Sequence, residues 1–375
     1  MGKQNRQRRA DKRRKEARRV RQSRPFNYSL DELVQSAAIL LAEGGVDTHR
    51  RAIAMLAAGP PAVEAVIGRQ LAAAKLAVHQ RGWTAPEVRR VLQKQLTARH
   101  ARLADSDLAR WTADEGLDRP TAVGSAIEVL SWFMRLPALP APTPARGPMA
   151  VDARQLERIR ALLAKAESTT FPEEADALTT KAQQLMTRYA IDQALVGAGG
   201  GDRVPSVRRV WVDDPYAGPK SLLLSTIAEA NRSRAVFSQT FGFSTVFGFD
   251  ADLDGVELLF TSLLVQASVG MKARSERAFR QSFLVAFATR IGARLREAAQ
   301  ASTAAAEEEH GSALAPVLLA DDTAVEQACH KAFPHLVRKG FSANSRAGWA
   351  AGVTAAELAS LSTRDEIDIL QKLVV

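Results

Sequence analysis

One cysteine, Cys329, stands in 375 residues, which excludes an intramolecular disulfide and fits a reducing, cytoplasmic setting. Runs of 18 or more apolar residues are missing, so no membrane span is expected. The N-terminus is basic with no apolar stretch behind it, unlike a secretory signal. The chain also lacks C-x-x-C, H-E-x-x-H, G-x-S-x-G and G-x-G-x-x-G, so the common zinc, hydrolase and dinucleotide motifs give no lead. Of the six histidines, only His330 and His335 cluster with Cys329. Adjacent residues on a helix diverge by about 100°, so the spacing suggests a buried cysteine beside two surface histidines. No catalytic motif, cofactor site or metal ligand emerges, which leans against an enzyme without deciding the point.

What is present is charge of one sign in one place. Residues 1–24 hold twelve cations, Lys3, Arg6, Arg8, Arg9, Lys12, Arg13, Arg14, Lys15, Arg18, Arg19, Arg21 and Arg24, against Asp11 and Glu16. Of the chain totals of 51 basic and 41 acidic residues, that leaves 39 of each in the other 351, so the net +10 belongs to the arm alone. Such a segment cannot bury a core, and residues 1–25 are expected to be disordered when free. Its physical use is phosphate neutralisation with counterion release. A solubility tail is the plainer alternative. An anionic membrane suits it less, because no apolar side chains interleave the cations.

Beyond the arm the pattern is mainly α. Residues 26–136 read as a helical domain, with Leu30, Leu33, Val34, Ala37, Leu40 and Leu41 at helical spacing. Thr84-Ala-Pro-Glu87 is a capping box with proline in the first turn, predicting a helix from about Ala85 to Leu103. That helix carries Arg89, Arg90, Lys94, Arg99 and Arg102 against Glu87. It follows a helix over about 61–80 through Arg81-Gly82-Trp83, a candidate helix–turn–helix. Arg89, Arg90 and Lys94 join the arm as candidate nucleic-acid contacts. Residues 137–150, with five prolines, read as a semi-rigid linker.

Residues 151–196 read as a helical hairpin. Leu156, Ile159, Leu162, Leu163 and Ala166 form one stripe. Thr170-Phe-Pro-Glu173 then opens a second helix, whose stripe is Ala175, Leu178, Ala182, Leu185, Met186 and Tyr189. Two such stripes must pack on something else. The residues Leu162-Leu163-Ala164, Ala166, Ser168-Thr169, Pro172, Glu174-Ala175 and Leu185-Met186 resemble an uncharacterised bacterial and phage family, domain of unknown function 2786. Asn231–Leu295 looks like the region that often follows this domain in related proteins. The resemblance implies architecture and supplies no catalytic residue.

A Gly-rich linker (197–206) precedes an expected small α/β module over 207–305. Its strands are predicted at Val207–Val212, Arg234–Gln239 and Ser244–Phe249, with a helix from Pro219 to about Asn231. Long helices follow at roughly 251–273 and 276–299, the second with Phe279, Phe283, Phe287, Ile291 and Leu295 on one core-facing stripe. Residues 298–309 look like a fraying helix end, and 306–375 add shorter helices.

One motif remains. Asp250-Ala-Asp252-Leu-Asp254-Gly255 opens like a calcium-binding EF-hand loop, but position twelve is Thr261 rather than glutamate, and position eight is Glu257 rather than an apolar residue. A helix with Asp250 at its N-cap explains these aspartates better. The leading expectation is therefore a non-enzymatic protein that meets DNA or RNA through its arm. A protein-interaction or regulatory module with an incidental tail is the alternative, and so is a hydrolase or nuclease with dispersed acidic residues.

Overall fold

The computed structural model describes residues 29–44, 46–143, 150–168, 172–198, 203–271, 274–337 and 340–357. The whole arm lies outside them, as does Thr170, the expected cap of the second hairpin helix. The chain divides into two units, 1–139 and 140–375, the boundary falling within the proline-rich segment.

The first unit is helical throughout: α1 (Leu30–Ala42), α2 (Val46–Ala58), α3 (Ala62–Gln80), α4 (Ala85–Gln95), α5 (Ala98–Leu103), α6 (Leu108–Asp114) and α7 (Arg119–Arg135). Short polar side chains set the starts. Ser29 and Glu32 form a reciprocal box at α1, and Asp107 and Asp118 accept the N–H groups of Arg110 and Thr121. α7 is the centre, with Val123, Ala126, Ile127 and Leu130 buried against α1, α2 and α3.

The expected helix over 85–103 is two helices. Its start is as read: the Glu87 carboxylate accepts the Thr84 N–H at 2.8 Å. It breaks at Leu96, and Thr97, a poor interior residue, takes the N-cap position of α5 with no side-chain bond to the backbone, its hydroxyl lying 2.7 Å from His100 Nδ1.

The second unit is mainly α with a small sheet: α8 (Ala150–Ser168), α9 (Pro172–Ala198), β1 (Ser206–Trp211), α10 (Ala217–Ala230), β2 (Arg234–Ser238), β3 (Phe243–Gly248), α11 (Asp250–Gly270), α12 (Arg277–His310), a 3-10 turn, α13 (Leu314–Ala332) and α14 (Arg346–Glu357). The sheet is antiparallel in the order β1-β3-β2. β3, all aromatic, β-branched or small, is buried along its length, as a central strand covered on both faces must be. On one face Val246 and Val210 join the main core; on the other Val207, Phe247 and Phe249 meet Val325 and Cys329 of α13. The β1 edge is partly covered, since the Thr143 N–H donates to Val207 O at 2.8 Å and Arg209 to Pro140 O at 2.9 Å.

The hairpin finds its partner within this unit. Ile159, Leu163, Ala182 and Met186 belong to the same core as the sheet and α10–α12. The phenylalanine stripe faces inward as read, with Phe279, Phe283 and Phe287 stacked in sequence. Residues 298–309, expected to fray, instead continue α12 to His310. Ala306 packs there with Ile191, Ala194 and Leu314, which explains the continuity. α14 crosses α12 closely through two glycines: a Cβ at Gly348 or Gly352 would lie 2.4 or 2.3 Å from the carbonyl oxygens of Phe279 and Phe283. α11 is long and apolar enough to cross a membrane by length and composition, but Leu253, Val256, Leu259 and Leu263 are its buried face in this core.

Candidate functional site

The α3–α4 turn is built to hold its shape. Gly82 takes φ +87°, which favours glycine. Buried Trp83 donates its indole N–H to Pro137 O at 2.8 Å. Arg81 donates to Leu136 O and Phe133 O, so its charge caps the C-terminal end of α7. Arg81 is structural here.

The basic residues beyond the turn are distributed as follows. Arg89 pairs with Asp105 at 2.6 Å. Arg90 is half-buried and Lys94 exposed, and both keep interactions of their own. Arg99 donates to Ser125 Oγ at 3.3 Å, and Arg102 grips Glu115 with two donors. The break at Leu96 separates Arg99 and Arg102 from the other three. The five cations therefore do not form one uncompensated stripe. The twelve arm cations lie outside the described residues.

Sequence reading missed a polar relay in this unit. Buried His100 sits between the Thr97 hydroxyl and Glu128, whose Oε2 is 2.7 Å from Nε2. With the ring proton on Nε2 toward the carboxylate, Nδ1 accepts from Thr97. The hydrogen bond from His100 holds Glu128 below the usual carboxylate range. Such a chain polarises a hydroxyl. However, a small pocket of this unit, lined by Lys75, His79, Val88, Ala104, Asp105 and Phe133 among others, is bordered by none of the three residues. The relay fastens α5 to α7. Glu128 is 28 residues away on another helix, so local spacing carried no signal for it.

The second unit gathers its charges around the start of α11. The cap there is Phe249 and Asp250 is the first helical residue, one position beyond the expected N-cap. A helix sends Asp250 and Asp254 to one side and Asp252 to the other. Each side meets an arginine. Arg208, mostly buried, lies 2.6 Å from Asp254, 3.5 Å from Glu257 and 3.9 Å from Asp250. Burial opposes its charge, but these carboxylates outweigh that and raise its pKa. Buried Asp252 meets Arg232 at 3.1 Å. Arg203 reaches Asp321 of α13 at 2.5 Å and lies over the Phe249 ring, while Arg234 pairs with Glu326. Among the described residues no group of three or more His, Cys, Asp or Glu side chains could hold a metal ion. The arginines hold α11 and α13 to the sheet.

A family model described as a protein of unknown function, DUF2786, matches residues 154–193, covering most of α8 and α9. No curated protein and no solved structure matches the chain.

Proposed function

We propose that the protein associates with DNA or RNA, with its N-terminal arm neutralising backbone phosphates and its folded units supplying orientation. The carrying observation is the partition of charge. Residues 1–24 hold twelve cations against two acids, residues 25–139 hold 13 against 12, and residues 140–375 hold 26 against 27. The way the units use their cations supports the reading. Arg89, Arg102, Arg119, Arg203, Arg208, Arg232 and Arg234 all pair with carboxylates of their own unit. A surplus that nothing in the sequence neutralises remains in the arm. Phosphate backbones are the partners that such a surplus binds by counterion release.

The test is a filter-binding titration against duplex DNA and against RNA over a salt series. If six to ten arm cations engage phosphates, log K falls against log salt with a slope of about −5 to −9 on duplex DNA. Deleting residues 2–25 flattens the slope to about −2 or less. Full-length protein that binds neither polymer at low salt overturns the reading. Unchanged affinity after the deletion moves the contact into the folded units.

A further inference from the structure

The hairpin carries a cationic surface that the sequence pattern did not single out. On α8, Leu156, Ile159, Leu163 and Ala166 are buried in the core, and Glu167 accepts the Ser262 hydroxyl of α11. At about 100° per residue, Arg154, Arg158, Ala161 and Lys165 fall within an arc of about 60° on the outward side. All four are exposed. No carboxylate lies in that arc; Glu157 stands beside it, 3.7 Å from Arg160. Arg154 and Arg158 have no hydrogen bond or ion pair with any described residue, whereas Lys165 keeps a contact of its own.

We infer that this ridge of α8 is a second phosphate-contacting surface that lies along a nucleic-acid backbone; the inference rests on the nucleic-acid reading above. The dimensions fit. At about 1.5 Å per residue the ridge runs roughly 16 Å from Arg154 to Lys165. Phosphates on one strand of a duplex recur about every 3.4 Å along the axis, so the ridge spans about five of them. Ala161 in the middle leaves room for close approach. The composition also separates a phosphate backbone from an acidic protein partner. Protein interfaces are anchored by aromatic or large apolar side chains, and the ridge has none. The ridge lies within the segment matched by the family model, so it is carried by the hairpin and is independent of the arm.

The test uses full-length protein with Arg154→Gln and Arg158→Gln together, in the same salt series on duplex DNA. At about 0.9 of slope per phosphate contact, the log K–log salt slope becomes shallower by about 2. The melting temperature stays unchanged, because neither side chain is packed. The control is Arg188→Gln with Arg290→Gln, which removes the same net charge from arginines paired with Glu309 and Glu357. An equal loss of slope in the control shows a net-charge effect and overturns the ridge. A slope within about 0.5 of the parent in the Arg154/Arg158 variant overturns the ridge while leaving the arm's role intact. Parent protein without salt-dependent binding removes the nucleic-acid reading and the ridge with it. A variant that loses binding to polyglutamate but not to DNA overturns the ridge as a phosphate surface and assigns it to an acidic polypeptide.

Discussion

The carboxylates of the two units are perturbed in opposite directions. In the first unit Glu64, Glu115, Asp118 and Glu128 are all held below their ordinary values, each chiefly by a hydrogen bond: from Arg119, Arg102, Thr121 and His100 respectively. In the second unit Asp252, Asp321 and Asp322 are all raised, each chiefly by burial, which outweighs the arginines beside them. The first unit has an apolar centre on α7 and keeps its few buried polar groups, such as Glu87 and His100, on short hydrogen bonds. The second must fasten a three-stranded sheet to two helices, and its linking side chains are long arginines that carry carboxylates inward. Charge at a surface is inexpensive and worth little. Charge that is buried costs much and is damaging to unpair.

Acid should separate the units most sharply. A carboxylate with a lowered folded pKa stabilises above its unfolded value, and that stability is lost as pH falls through the folded value. A carboxylate with a raised folded pKa binds its proton sooner in the folded state, so its contribution improves as pH falls toward the unfolded value. Between about pH 5 and pH 3 the first unit therefore loses stability, chiefly through Glu128, since solvent screens the pairs at Glu64, Glu115 and Asp118, while the second gains. Trp83, Trp111 and Trp132 lie in the first unit, against Trp211 and Trp349 in the second. Tryptophan fluorescence should accordingly report an acid transition ahead of amide-exchange loss in β3 and α12. Simultaneous loss in both units breaks the comparison.

The next largest effect is expected from Arg232→Ala, which leaves Asp252 buried with its nearest cation gone. Equilibrium denaturation should show a loss of about 3–5 kcal/mol, most of it recovered by Arg232→Met with Asp252→Leu. A loss under about 1 kcal/mol would mean that water reaches Asp252. Leu163→Ala in the shared core should cost about 2–5 kcal/mol, and half-buried Leu185→Ala less. Gly352→Ala should cost about 1–3 kcal/mol, because the new Cβ meets the backbone oxygen of Phe283 and the helix must withdraw. Ala351→Gly on the same helix adds no bulk there and separates the clash from a propensity effect.

How much of this was legible follows from the range of the forces involved. The strands were readable to within one residue, and α10 nearly so, because β-branched runs, caps and prolines act locally. The phenylalanine stripe was equally plain. The break at Leu96 was hidden because the Thr97 hydroxyl is held by the ring of His100, whose other nitrogen meets Glu128 on a distant helix. The extension of α12 past residue 299 was hidden because alanines and glutamates fray in isolation, and only packing on α9 and α13 holds them. The close approach of α14 depends on Gly348 and Gly352, four apart, which local rules read as weak helix. The exposed ridge on α8 was visible as residues but not as a surface. Its distinction is that Arg154 and Arg158 meet no carboxylate of the described residues, and pairing is a tertiary property.

The smallest effect concerns the aspartates that look like a calcium loop. As an N-cap, Asp250 would satisfy a backbone donor, and its loss would cost about 1 kcal/mol. As the first helical residue, with Phe249 in the cap position, it contributes through the helix dipole and a long 3.9 Å approach to Arg208. Asp250→Ala should then cost only about 0.3–0.5 kcal/mol. Asp254→Ala should cost more, because it removes the 2.6 Å partner of a mostly buried guanidinium. Calcium tests the same geometry from the other side. An EF-hand collects its ligands from a loop that wraps the ion, whereas here residues 250–255 are helical and the aspartates face two different arginines. Millimolar calcium should shift neither the melting temperature nor the titration heat. Saturable binding with a dissociation constant below about 1 mM requires these residues to leave the helix, and reverses the predicted order of the two alanine variants.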